Sequence, residues 1–212
     1  LYKINKEKVH IIPYTPSNLF IKKKLSKKFL KKYKKIKNYF FYPAQIWGHK
    51  NHLVILKAVK ILNKKNIDVN LVFSGRDRGY RKTLDLYIEK NKIKHVFFTG
   101  FLTSGEMHHM YKNCKGVIFT TLWGPNAIPP LETWSYQKPL IYNDRLEDDV
   151  TKETAILGNI NDPNYVANSL EKVLKNRYSE NFIINGNNKL QLIKKNSKRQ
   201  YIKLNKKIIF LN

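Results

Sequence analysis

The sequence predicts an α/β fold, a Rossmann-like parallel sheet flanked by helices. Strand-like and helix-like hydrophobic patterns alternate from about residue 38 to residue 175, the order that parallel βαβ units impose on a chain. Each unit runs for 20 to 30 residues, enough for a strand, a crossover helix and two short loops. Composition permits the core that such a sheet needs. Of 212 residues, 42% are hydrophobic and 13% aromatic, and the charged fraction is an ordinary 26%.

The first strand is the aromatic run Asn38–Ala44. After Gly48-His49-Lys50-Asn51, the segment His52–Asn63 places Leu53, Leu56, Ala58, Val59 and Leu62 on one helical face. Val69–Phe73 is the second strand, ended by the turn Gly75-Arg76-Asp77-Arg78-Gly79 and followed by a helix to about Asn91. His95–Thr99 is the third. A helix Ser104–Asn113, with Ser104 as its cap, leads to strand Gly116–Thr120. A loop, a short helix from Pro129 and strand Pro139–Tyr142 come next, and Thr154–Leu157 closes the sheet.

Asn161-Asp162-Pro163 opens a further helix by cap-then-proline logic, with Tyr165, Val166, Leu170, Val173 and Leu174 on its buried face. Residues 178–209 read as further helices, increasingly basic. The chain thus divides into a basic lead-in and linker over 1–36, a Rossmann-like domain over 37–177 and basic helices over 178–212.

No apolar run approaches the roughly 18 residues that a membrane span needs. The chain starts at Leu1 without an apolar leader, and reads as a fragment. Its one cysteine, Cys114, permits no internal disulfide and fits a reducing, cytoplasmic compartment. The net charge of +26 is concentrated at the ends: residues 1–40 carry +12, residues 189–212 carry +8, and +6 is left for the middle. Nucleic-acid readers place basic and aromatic residues on one binding surface, so this distribution argues against a nucleic-acid partner. It leaves two readings, a basic face held against an anionic membrane, or the lysine bias of an A/T-rich genome.

Ligands of such a sheet bind outside the carboxyl ends of the strands. The loop Thr121-Leu122-Trp123-Gly124-Pro125-Asn126-Ala127-Ile128-Pro129-Pro130-Leu131-Glu132 is the most informative one there. Gly124 permits close backbone approach, and the prolines suit a helix's first turn. The free N–H groups over Gly124, Asn126, Ala127 and Ile128 then form a cradle for a diphosphate. Glu132, in the first turn, stays ionised and faces solvent, placed to accept from vicinal hydroxyls, or else is a plain helix-end carboxylate.

Lys50, just ahead of the first crossover helix, is placed to meet phosphates from the opposite side or else is one solvated lysine among 35, with His49 and His52 as surface residues and no third ligand for a metal. Gly75–Gly79 is no Walker loop, although Arg76 reaches towards a phosphate. Cys114 reads as a buried small hydrophobe, and Trp47, Trp123 and Trp134 as packing residues, with sugar platforms as the alternative. Asp144, Glu147, Asp148 and Asp149 read as a solvated acidic loop.

The segments YPAQIWGHKNH, LVFSG, FTGFLTSGEM and GPNAIPPLETW, in that order and spacing, resemble the C-terminal domain of retaining glycosyltransferases of family 4 over about residues 8–175. KVHIIPYTP is similar to the family's interdomain linker. The resemblance implies the C-terminal half of a GT-B fold, a nucleoside-diphosphate sugar donor, no metal or other cofactor, and transfer with retention. It also implies an acceptor glycan or lipid-linked acceptor, held by an N-terminal domain.

By that resemblance the catalytic pair is Lys50, which falls on the lysine gripping the donor diphosphate, and Glu132, which falls on the glutamate binding the ribose. Leu102, two after Gly100, falls where the base is contacted through the backbone. The family's arginine is Gln45 here and the first glutamate of its pair is Gly124, with Pro125, Asn126, Ala127 and Ile128 following. A relative that binds nucleotide sugar without transferring it, and a basic membrane or nucleic-acid module, are the alternative readings.

Overall fold

The computed structural model describes residues 9–16, 25–124, 128–146 and 150–209. Its elements are α1 (Lys27–Tyr33), β1 (Tyr39–Pro43), α2 (His52–Asn63), β2 (Asn70–Ser74), α3 (Arg81–Lys90), β3 (Val96–Gly100) and α4 (Ser104–Asn113). They continue with β4 (Gly116–Phe119), α5 (Ile128–Ser135), β5 (Leu140–Asn143), β6 (Ile156–Gly158), α6 (Pro163–Leu174) and α7 (Asn181–Ile209). The six strands form one parallel sheet in the order β3-β2-β1-β4-β5-β6. Connections on the two sides of β1 therefore run in opposite directions, and a crevice opens where β1 and β4 lie side by side.

β1 is the centre of the core. Tyr39, Phe40, Phe41 and Tyr42 are all buried, as a strand covered on both faces requires. The Tyr39 hydroxyl disposes of its polar end by donating to the Met110 carbonyl at 2.8 Å. Gly116 lets β4 pass close to Pro139 and Val173, where a Cβ would stand 3.2 Å from each side chain. Asp162 caps α6 by accepting from the Asn164 N–H at 2.8 Å, with Pro163 in the first turn.

Several elements differ from the sequence expectation. The lead-in contains α1, capped by Ser26, whose Phe29 and Tyr33 are one turn apart and buried in the core. Thr103, not Ser104, caps α4: its hydroxyl accepts from the Glu106 N–H at 3.4 Å while the Glu106 carboxylate accepts from the Thr103 N–H at 2.9 Å. That reciprocal box uses the Thr103-to-Glu106 spacing, which Ser104 lacks. The last strand begins two residues later than expected, at Ile156. The basic C-terminal region is one helix, α7, uninterrupted at Gly186 because the Trp134 ring occupies the space a Cβ would take there.

His52, expected on the surface, is buried as the first residue of α2. Its ring lies 4.6 Å from that of Tyr42 and 5.0 Å from that of Phe73, and it takes the inward position that the pattern assigned to the half-exposed Leu53. Neither ring nitrogen has a hydrogen bond of good geometry, and only the Ala44 backbone offers a weak polar contact. Burial, with the Lys50 ammonium adding to it, lowers the imidazole pKa to about 3.

The unfolded chain therefore binds a proton at this residue below about pH 6.5 that the folded chain refuses, so stability falls as pH drops through that window. His52→Phe keeps an aromatic ring and removes the titration. Its urea stability relative to the unsubstituted chain is expected to improve by about 1.4 kcal/mol for each pH unit between roughly 6 and 4. Parallel pH profiles for the two proteins would contradict this.

Candidate functional site

At the β1–β4 crevice a 3-10 turn over Gly48–Lys50 brings the chain into α2. Three donations hold it. The Tyr42 hydroxyl gives to the Lys50 carbonyl at 2.7 Å, and the Thr120 hydroxyl reaches both the Lys50 and Asn51 carbonyls at 3.2 Å. Asn51 adopts φ 52°, a left-handed conformation that asparagine tolerates. The Leu122 N–H donates to the His49 carbonyl at 2.9 Å and joins the loop after β4 to the loop after β1.

The Lys50 side chain is thereby directed along the end of β4. Its Nζ donates to Thr121 Oγ1 at 3.2 Å and lies 5.8 Å from the centre of the Phe119 ring. Thr121 Oγ1 in turn donates to the Trp123 carbonyl at 3.0 Å, and Asn143 Nδ2 holds the Thr121 carbonyl at 2.9 Å. Burial lowers the ammonium's pKa from its ordinary value. No carboxylate among the described residues pairs with it. A half-buried ammonium satisfied by one neutral hydroxyl is a strong anion site.

Gly124 has φ 142°, which disfavours any side chain, and a Cβ placed there would stand 4.0 Å from Lys50 Nζ. The approach to the ammonium is thus left open. Pro125, Asn126 and Ala127, expected in the cradle, lie outside the described residues. Ile128 starts α5 and is 43% exposed.

Glu132 departs from expectation. It stands in the second turn of α5, and only 8% of it is exposed. The Tyr111 hydroxyl donates to Glu132 Oε2 at 2.6 Å. Tyr111 is fully buried and stacked on Tyr136 at 5.1 Å, and the Tyr136 hydroxyl meets His108 Nδ1 at 2.8 Å. Burial raises the Glu132 pKa and the Tyr111 hydrogen bond opposes that rise. Glu132 is therefore a buried carboxylate with one oxygen occupied by a phenol, not a solvated group ionised by the helix end.

The other candidates frame the crevice. Gln45 Oε1 accepts from the Arg76 N–H at 2.9 Å, which commits its carbonyl to the loop after β2 and leaves its amide N–H groups as donors. The Arg76 guanidinium lies 5.4 Å from the centre of the Phe101 ring. Gly75, at φ 147°, is required because a Cβ there would collide with the Ala44 carbonyl. Its N–H donates to the carbonyl of Gly100, itself at φ 70°. The Leu102 side chain is buried, so contact with a ligand falls to its backbone.

Cys114 is buried as expected, its thiol pKa pushed up to about 12. Trp134 is packed, but Trp47 and Trp123, expected as packing residues, are 42% and 63% exposed. Asp144 is exposed, and Glu147, Asp148 and Asp149 lie outside the described residues. Among the described residues no group of three or more His, Cys, Asp or Glu side chains is placed to hold a metal ion. Thr121, Asn143 and Tyr111 are site residues that pattern reading passes over. Polar residues at the inner ends of buried strands are the signal that marks the first two.

The family model described as glycosyl transferases group 1 matches residues 22–199. No curated protein sequence matches the chain. Among solved structures, the chain superposes on a glycosyltransferase from Rickettsia africae ESF-5 with TM-score 0.74 at 17% identity, covering 97% of this chain and 57% of that one. It superposes on Anabaena HepE in complex with UDP with TM-score 0.70 at 13% identity, covering 92% and 56% respectively. A third similar structure is the C-terminal domain of the glycosyl transferase group 1 family protein LpcC from Francisella tularensis, with TM-score 0.65, 17% identity, and coverage of 84% and 94%. The chain thus spans just over half the length of the first two and matches nearly the whole of an isolated domain.

The Tyr111–Glu132 contact makes a direct prediction. Tyr111→Phe removes a hydrogen bond to the ionised carboxylate, so the Glu132 pKa should rise further and the loss should be greatest where Glu132 is charged. Chemical denaturation at pH 8 is expected to show a loss of about 1 to 3 kcal/mol that shrinks as pH falls towards 5. A loss independent of pH would mean that the phenol only packs.

Proposed function

We propose, from the premise that this chain belongs to the glycosyl transferases group 1 family, that it forms the donor-binding part of a glycosyltransferase. It takes a nucleoside-diphosphate sugar at the β1–β4 crevice and delivers the sugar, with retention, to an acceptor hydroxyl in surface polysaccharide or glycan synthesis. The observation that carries the reading is the Lys50 ammonium, half-buried, held by Thr121 and paired with no carboxylate among the described residues. The structure of HepE with UDP supports a uridine nucleotide as the first ligand to test.

The chemistry follows from charge. Breaking the bond between the anomeric carbon and the diphosphate leaves negative charge on the departing oxygen, where a preorganised cation and N–H dipoles in a partly dry site lower the barrier. Lys50 supplies the cation, and the loop from Gly124 to Ile128 the dipoles. The leaving phosphate oxygen takes the proton of the attacking acceptor hydroxyl, so this reading needs neither a protein nucleophile nor a metal. Glu132, steadied by Tyr111, offers its free oxygen to the ribose hydroxyls. Gln45 donates a neutral hydrogen bond where the resemblance expects a guanidinium.

Transfer needs the acceptor held against the donor, and residues 1–212 alone are expected to lack it. A binding-only relative is the second reading, favoured by the commitment of the Gln45 carbonyl to Arg76.

No helix among the described residues is long and apolar enough to cross a membrane. We place the protein in the cytoplasm, peripheral at the inner face of a membrane. Residues 12–16 line grooves along the basic face of α7, one of about 430 Å³ bounded by Pro13, Leu192, Lys195 and Arg199. Exposed Leu192, Tyr201 and Ile202 add apolar contacts to that face.

Isothermal calorimetry with UDP tests the site. Lys50→Ala should weaken binding by about 1 to 3 kcal/mol, the scale of a charge-assisted hydrogen bond, with the fold intact. Equal affinity, or no saturable binding by the unsubstituted chain, would count against it. Co-sedimentation with liposomes tests the basic face, to which each nearby Lys contributes on the order of 1 kcal/mol at low salt. Binding should rise with anionic lipid and fade with added salt. Equal, negligible binding to neutral and anionic vesicles would leave codon bias as the account of the charge.

A further inference from the structure

Trp47 and Trp123 stand on the two loops that hold Lys50, and both are exposed, by 42% and 63%. They are not loose. The His49 ring stacks on Trp123 at 4.4 Å and 22° and meets Trp47 edge-on at 4.9 Å. Burial, with the Lys50 ammonium beside it, keeps the pKa of the His49 imidazole between the two indoles below its ordinary value. The Leu122–His49 backbone hydrogen bond fixes the loops that carry the rings. One face of the Trp123 indole lies against His49, and the residue is 63% exposed.

The platform adjoins the anion site. Two hydrogen bonds, of 3.2 and 3.0 Å, link Lys50 Nζ through Thr121 Oγ1 to the Trp123 carbonyl, and Gly124 beside it opens onto the ammonium. Neither indole N–H donates a hydrogen bond among the described residues. Exposed aromatic surface held rigid beside a charged site marks a ligand contact rather than core.

We infer that the exposed surface of Trp123, with Trp47 on the other side of His49, receives a hexopyranose ring of the acceptor. The inference rests on the donor reading of Lys50. A pyranose presents a flat apolar face of C–H groups with a rim of hydroxyls, and an indole offers the matching flat face with an N–H at its edge. The rings lie at the rim of the crevice, exposed to solvent, so what they take arrives from outside, next to the phosphate that must accept its proton. The transferred sugar is instead tied to the diphosphate at Lys50.

The test uses the full chain with and without saturating UDP, titrated with methyl glycosides of glucose, galactose and mannose in both anomeric forms. The indole N–H resonances of the three tryptophans report the outcome. At least one glycoside is expected to shift Trp123 and Trp47 saturably, with Kd on the order of 10 mM, and to leave Trp134 unmoved as a marker of the intact fold. Trp123→Ala should weaken that glycoside about tenfold and change UDP and UDP-glucose affinity by less than about twofold, while Trp123→Phe retains most of the binding.

The inference is overturned if no glycoside moves Trp123, or if Trp123→Ala weakens UDP or UDP-glucose as much as the glycoside. The latter result would assign the ring to the nucleotide or the transferred sugar. A chain that binds no UDP yet shows the Trp123 shift refutes the donor reading and upholds the platform.

Discussion

The site depends on the clamping of two consecutive carbonyls, those of Lys50 and Asn51, by the hydroxyls of Tyr42 and Thr120. Tyr42 is the fourth residue of β1 and Thr120 follows β4, so the clamp spans the point where the sheet reverses its winding. Carbonyls in a tight turn at a buried strand end must find donors, because leaving one unpaired costs about 1 to 3 kcal/mol. Once they are satisfied in this way, the turn has one arrangement. The Lys50 side chain then leaves it towards Thr121, and His49 leaves it towards Trp123.

The same burial that organises the turn places polar groups in unfavourable surroundings. His52 gives up its proton, Lys50 has its pKa lowered, and Glu132 has its pKa raised. Each shift has desolvation as its largest cause, and the partners provided are neutral hydroxyls or none. A core built for stability alone would pair or omit these groups. Here an ammonium and a carboxylate are both held with spare hydrogen-bonding capacity near the strand ends, and such perturbed groups cluster where ligands bind. Family membership accords with these perturbed groups gathering near the strand ends.

The sheet was legible because its signals are local. An unbroken aromatic run at 39–42 reads as a strand buried on both faces, and Asp162-Pro163 reads as a helix start without reference to anything distant. Lys50 was legible through the resemblance of its motif, because its place between strand and helix alone leaves it one solvated lysine among 35. What failed to show depends on partners far along the chain. Phe29 and Tyr33 are hidden among lysines until the core is there to receive them. Glu132 reads as solvated until Tyr111 arrives from α4. The exposure of Trp47 and Trp123 runs against the packing rule for large aromatics, and departures of that kind concentrate at working surfaces.

Lys50, with no carboxylate paired to it among the described residues, is on this reading an ammonium poised for a phosphate. The most direct measurement is its pKa, followed through the Lys50 side-chain resonances in the free chain and with UDP bound. A value below that of an ordinary lysine is expected in the free chain, where burial opposes the charge. It should rise on binding UDP, because an anion within about 4 to 6 Å favours the charged form. A Lys50 that titrates like a surface lysine, or whose pKa does not move when UDP binds, would contradict it.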